Sequence, residues 1–182
     1  MAIDLETTGL DARVDSIVEL AAIHFVGSRV GDMYVTHVNP ERPIPAESTR
    51  VHGITDAMVA GAPLLDEVLG QLEDMCGHFV LAVYGIAFDL AVLAHHQKAR
   101  GRAPLTNAAL DCRRLAVALH PEWKALGFDE VASERGIGIL GRHTAEGDAV
   151  AAGELLLTLI PEIRAFGART IGDAVWLQEA VG

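Results

Sequence analysis

The chain has 182 residues, long enough for one domain with a substantial core, and 51% of them are hydrophobic. With no apolar run of about 18 residues a membrane span is not expected, and Met1 leads into an acidic motif rather than a signal peptide, so a soluble, cytoplasmic protein is expected. A formal net charge of -11 argues against broad electrostatic capture of duplex nucleic acid, which needs a basic stripe.

In chain order, residues 1–5 read as a short strand. Side chains alternate across a strand, so Asp4 and Glu6 project together while Ile3 and Leu5 enter the core. Residues 15–26 are apolar on both faces, the pattern of a strand inside a covered sheet. Residues 27–31 read as a hairpin connection into a third strand over 32–38, stopped by Asn39-Pro40. Short helical turns are expected over 46–51 and 56–59, and an amphipathic helix over 64–76. A strand over 79–83 precedes a helix over 88–100. A short strand near Leu110 then leads to helices over 112–119, 128–135 and 144–159, with Trp176 in a last helical stretch. Antiparallel strands followed by alternating strands and helices predict an α/β sandwich with a mixed sheet. Cys76 and Cys112 have no metal-ligand spacing and read as small apolar residues in a reducing compartment.

Two carboxylates side by side repel each other unless a positive charge lies between them, and a divalent cation with oxygen ligands meets that need. Phe88-Asp89 and His143-x4-Asp148 carry more of the same chemistry, although Phe-Asp at a strand-to-helix junction also suits a helix N-cap. The order of the three segments and their flanks decide between these readings. Asp4-Leu5-Glu6-Thr7-Thr8-Gly9-Leu10, Ala87-Phe88-Asp89-Leu90 and His143-Thr144-Ala145-Glu146-Gly147-Asp148-Ala149 resemble the three exonuclease motifs of the DEDD family. The likeness is to its histidine branch, which includes the proofreading epsilon subunit of bacterial DNA polymerase III and ribonuclease T. It covers nearly the whole chain, because Val51-His52-Gly53-Ile54-Thr55, Ala109-Leu110-Asp111-Cys112 and 126–132 also resemble family segments.

This resemblance implies a ribonuclease H-like three-layer sandwich with a mixed five-stranded sheet and helices on both faces, a single exonuclease domain over 1–182. It implies that Asp4, Glu6, Asp89 and Asp148 hold two divalent cations, Mg2+ or Mn2+, with Asp4 bridging them and Asp89 acting partly through water. Two such ions clamp the attacking and leaving oxygens of an in-line displacement at phosphorus. His143, an imidazole with an unperturbed pKa of about 6.5, is then placed to take a proton from the attacking water. The expected substrate is a single-stranded nucleic acid 3′ end, with DNA favoured over RNA, and the expected product a nucleoside 5′-monophosphate.

The same resemblance implies that Glu47, His52 and the Thr7-Thr8-Gly9 turn hold the terminal nucleotide, with Leu10 and Phe88 against the bases. Glu47 equally suits the first turn of a helix, and Leu10 and Phe88 equally suit core packing. His24, His37, His78, His95, His96 and His120 match no part of the pattern and read as structural or solvated, while Asp111 and Asp129 read as caps. The chain departs from the family at Tyr84-Gly85, where many members carry His-Asn, and in its short first strand. An RNA-trimming exonuclease and a catalytically silent binding module are the alternatives. A polymerase or a fused domain is a conceivable partner, and the chain could be a fragment of a longer protein.

Overall fold

The computed structural model describes residues 1–181. Its centre is a five-stranded sheet in the order β3-β2-β1-β4-β5, formed by β1 (Ala2–Thr7), β2 (Ile17–Val26), β3 (Arg29–His37), β4 (Leu81–Val83) and β5 (Ala109–Asp111). The first three strands pair antiparallel, and β4 and β5 add in parallel after helical crossovers. β2 lies between β3 and β1 with both faces covered over most of its length, which is why it is largely apolar, Glu19 and His24 apart.

Strand alternation sorts the core into two layers. Ile3, Leu5, Leu20, Leu81 and Val83 pack against α3 (Leu65–Cys76) and α4 (Ile86–Ala99). Ala2, Ala21, Ile23 and Ala82 on the opposite face pack against α5 (Cys112–Leu119), α6 (Phe128–Glu134), α7 (Ala145–Phe166) and α8 (Ile171–Glu179). The mixed sheet is thus sandwiched between two helical layers, as expected. Two short helices, α1 (Ala46–His52) and α2 (Asp56–Val59), cross the end of the sheet above β1 and β2.

Several boundaries differ from the sequence expectation for local reasons. The hairpin turn is only Gly27-Ser28, with Gly27 at φ 63°, and Arg29 already pairs with Val26, so β3 starts earlier than residue 32. β4 starts at Leu81 rather than residue 79, because the Phe79 amide closes a turn onto the Cys76 carbonyl. α4 begins at Ile86 rather than 88, because the Asp111 carboxylate accepts hydrogen bonds from the Gly85 and Ile86 amides at 3.3 and 3.1 Å. α7 continues past residue 159 and through Pro161, since Leu155, Leu159 and Ile163 keep one apolar stripe buried along it. A 3₁₀ turn over Pro121–Ala125 was not anticipated. No helix among the described residues is long and apolar enough to cross a membrane.

Candidate active site

The sheet places Asp4 and Glu6 on the face that meets α7. Asp148, in the first turn of that helix, lies over them. One oxygen each from Asp4, Glu6 and Asp148 lies within 4.8 Å of the others. Asp89, in the first turn of α4, is buried and sits just outside this triad, close enough that its charge raises the Asp4 pKa. Each carboxylate therefore comes from a separate element, except the pair on β1.

Among the described residues the cations near this group, Arg142 foremost, do not balance it, and all four carboxylates stay raised. Asp4 is held well above the usual carboxylate range, first by burial and then by the charges of Asp89, Asp148 and Glu6. Burial, then Asp148 and Glu19, push Glu6 up to about 7. Burial also takes Asp89 to about 7, with Glu6 and Asp111 adding to it. Asp148 is raised by burial against the opposing pull of Arg142 and His143. Its Oδ1 is buried and has no hydrogen-bond partner among the described residues. An all-oxygen donor set, mutual repulsion and an orphaned buried oxygen together fit a hard divalent cation.

The segment before α7 carries the remaining charged groups. Thr144 caps the helix by accepting a hydrogen bond from the Gly147 amide at 3.1 Å, and the Ala145 amide donates to buried Glu19 of β2 at 2.8 Å. These bonds set where the preceding loop rests on the sheet. A Cβ on Gly147 would lie 2.2 Å from the Leu140 carbonyl oxygen, so the close approach of loop and helix requires glycine there. His143 is exposed at this corner with φ 63°, a strained conformation for a residue with a side chain. Beside it, the Arg142 guanidinium reaches Asp148, donates to Asp129 at 3.2 Å and lies over the Phe128 ring at 5.3 Å.

A cleft of about 430 Å³ opens beside the triad, lined by Glu6, the Thr7-Thr8-Gly9-Leu10 turn and Glu47, Ser48, Val51 and His52 of α1. Ser48 fixes α1 to the turn by donating to the Thr8 carbonyl at 2.8 Å. His52 Nδ1 accepts the Ile54 amide at 3.0 Å, which leaves Nε2 as the protonated nitrogen of the neutral ring. Burial lowers the pKa of this histidine and keeps it neutral. Leu10 is 90% exposed over the cleft, and Glu47 is exposed at its rim. Phe88 is different. It is half-buried against the Ile3 and Leu5 core layer and does not line the cleft.

Asp111 caps as expected, accepting from the Arg114 amide at 3.0 Å as well as from the start of α4. Asp129 does not cap. It stands in the first turn of α6 and pairs with Arg142. Gly85 holds φ 85° at the entry to α4, a conformation open to glycine, and Tyr84 stacks on Phe128 with ring centroids 3.9 Å apart. The departure from His-Asn thus contributes a stacking surface. Sequence reasoning missed Arg142, Glu19 and Ser48. Only Arg142 carried a signal, as a cation adjacent to a motif histidine.

The exonuclease (RNase T) family model matches residues 1–156. The chain is 40% identical over 174 residues to a DNA polymerase III subunit epsilon-like protein of Rhodobacter capsulatus, covering 93% of this chain and 25% of that one. It is 35% identical over 159 residues to a PolC-type DNA polymerase III of Latilactobacillus sakei, covering 87% and 11%. The chain therefore spans about a quarter or less of the length of these relatives. Among solved structures, Exonuclease X in complex with 5′ overhanging duplex DNA superposes with a TM-score of 0.77 at 23% identity over 97% of both chains. E. coli Exonuclease I in complex with a dT13 oligonucleotide gives 0.73 at 18%, over 90% of this chain and 42% of that one. These two show a shared ribonuclease H-like exonuclease fold.

Proposed function

Because the chain belongs to the exonuclease (RNase T) family, we propose that it shortens single-stranded DNA from the 3′ end, releasing nucleoside 5′-monophosphates. The observation that carries this reading is the convergence of Asp4, Glu6 and Asp148 beside a cleft wide enough for a terminal nucleotide. The family's chemistry depends on divalent metal. In this chain Asp4, Glu6 and Asp148 would hold one Mg2+ or Mn2+, and Asp4 and Asp89 a second. Bound there, the ions would stabilise charge on the attacking and leaving oxygens of an in-line displacement.

The protein's own groups supply the rest. His143 is the general base: it takes the proton of the attacking water, and its exposed corner lets that proton pass on to solvent. His52 donates through Nε2 to the terminal nucleotide, and the Thr7-Thr8-Gly9 turn lies against it in the cleft. Glu47 accepts from the terminal 3′-hydroxyl, and Leu10 lies against the end base, a contact tolerant of sequence. Phe88 acts through packing of the strand that carries Asp4. The named relatives are DNA polymerase III proteins far longer than this chain, and the bound molecules in the two structural neighbours are DNA, which favours DNA over RNA and a polymerase or fused domain as partner.

A 5′-labelled single-stranded DNA oligonucleotide, incubated with Mg2+, Mn2+ or EDTA, tests the reading. The expected result is a metal-dependent ladder shortening from the 3′ end, absent in Asp4→Ala and Asp148→Ala. No ladder on either DNA or RNA would refute the catalytic assignment, and a ladder on RNA alone would overturn the substrate.

A further inference from the structure

The acidic group contains one cation that the reaction does not require. The Arg142 guanidinium reaches into the site and binds Asp148, while its central carbon lies over the Phe128 ring at 5.3 Å, and that ring is in turn stacked on Tyr84. Asp129 holds its other edge at 3.2 Å. Arg142 is thus supported from three sides in a position where it shares a carboxylate with the candidate metal site. A guanidinium cannot be deprotonated in this setting, so it can leave Asp148 only by moving. Its side chain is 29% exposed and Asp129 is 67% exposed, so solvent and Asp129 offer a place to go.

We propose that Arg142 is a built-in counter-cation that occupies Asp148 until a divalent ion displaces it, and so sets the metal concentration at which the site fills. This rests on the metal-binding reading above and adds to it a competitor supplied by the chain itself. The column Tyr84, Phe128, Arg142 gives the competitor its place, and Tyr84 is one of the positions where the chain departs from the His-Asn pattern. Before metal arrives, the guanidinium offsets part of the charge of Asp4, Glu6 and Asp148. After displacement, Asp148 has Oδ2 free as well as the already unpartnered Oδ1, and Arg142 remains tethered to Asp129.

The test is Mn2+ binding to the nucleic-acid-free protein, measured by calorimetry and by the electron paramagnetic resonance signal of free Mn2+. Arg142→Gln and Arg142→Lys are compared with the unmodified chain, and unfolding temperatures are measured in EDTA. Removing the competitor should tighten Mn2+ binding about tenfold, equal to about 1.4 kcal/mol, and lower the unfolding temperature in EDTA. Lysine keeps the charge but loses the planar fork and the stack, so it should fall between the two. If Arg142→Gln does not fold, Arg142→Lys alone decides, by binding Mn2+ more tightly than the unmodified chain. Equal or weaker Mn2+ binding in the variants would overturn the proposal while leaving the metal site standing. Absence of binding in every protein would overturn both.

Discussion

Replacing Asp89 with Asn should stabilise the metal-free protein at alkaline pH and leave it unchanged at acid pH. Asp89 is buried, and its pKa rises from 3.8 to about 7, chiefly through burial. Below the lower value the carboxyl is protonated both folded and unfolded, and contributes no pH dependence. Between the two values the unfolded chain loses its proton while the folded one keeps it, so folding stability falls as pH rises. Above about 7 the loss is complete. At about 1.4 kcal/mol per pH unit, a rise of this size amounts to about 4 kcal/mol. Burial is the largest part of it, and relaxation and water entry around the ionised group lower the effective cost, so about 2 kcal/mol should be recovered by Asn. For a chain of this length that is about 4–8 °C in unfolding temperature. The assay is thermal unfolding of both proteins in EDTA from about pH 5 to pH 8, reading the difference between them so that other titrations cancel. A difference that stays flat, or an Asn variant less stable at pH 8, would refute the idea that an uncompensated buried charge resides there. Mn2+ should stabilise the unmodified protein most above pH 7 and Asp89→Asn much less.

His143→Asn should keep the unfolding temperature, because Asn tolerates positive φ, while slowing exonucleolysis about 10²–10⁴-fold through loss of the base. A large drop in stability or an unchanged rate would count against the assignment. Gly147→Ala drives a methyl group into the Leu140 and Gly141 carbonyls, which should cost about 1–3 kcal/mol and displace the His143 loop, seen as lower melting and slower turnover together.

Much of the site is legible in the chain because its geometry is short-range. Strand alternation alone places Asp4 and Glu6 on one face with Ile3 and Leu5 on the other, and the caps at Asp111 and Thr144 lie at the expected helix starts. The DEDD resemblance adds Asp89, His143 and Asp148, since motif order survives where spacing alone is weak. Phe88 illustrates the limit: an aromatic residue beside a motif aspartate suits both base contact and core, and only packing shows it against the Ile3 and Leu5 layer. Arg142 and Glu19 lie beyond sequence patterns for the same reason. Their partners are set by how α7 rests on the sheet, where Ala145, Ala149, Ala152 and Gly153 let the helix approach β1 and β2 closely. Which carboxylates are present, and how neighbouring ones are oriented, is readable from the residue order, because these depend on local backbone period. Tertiary structure alone decided that Asp148 closes over β1, that Glu19 anchors the start of α7 and that a guanidinium stands among the acids, because these contacts join segments far apart in the chain through packing.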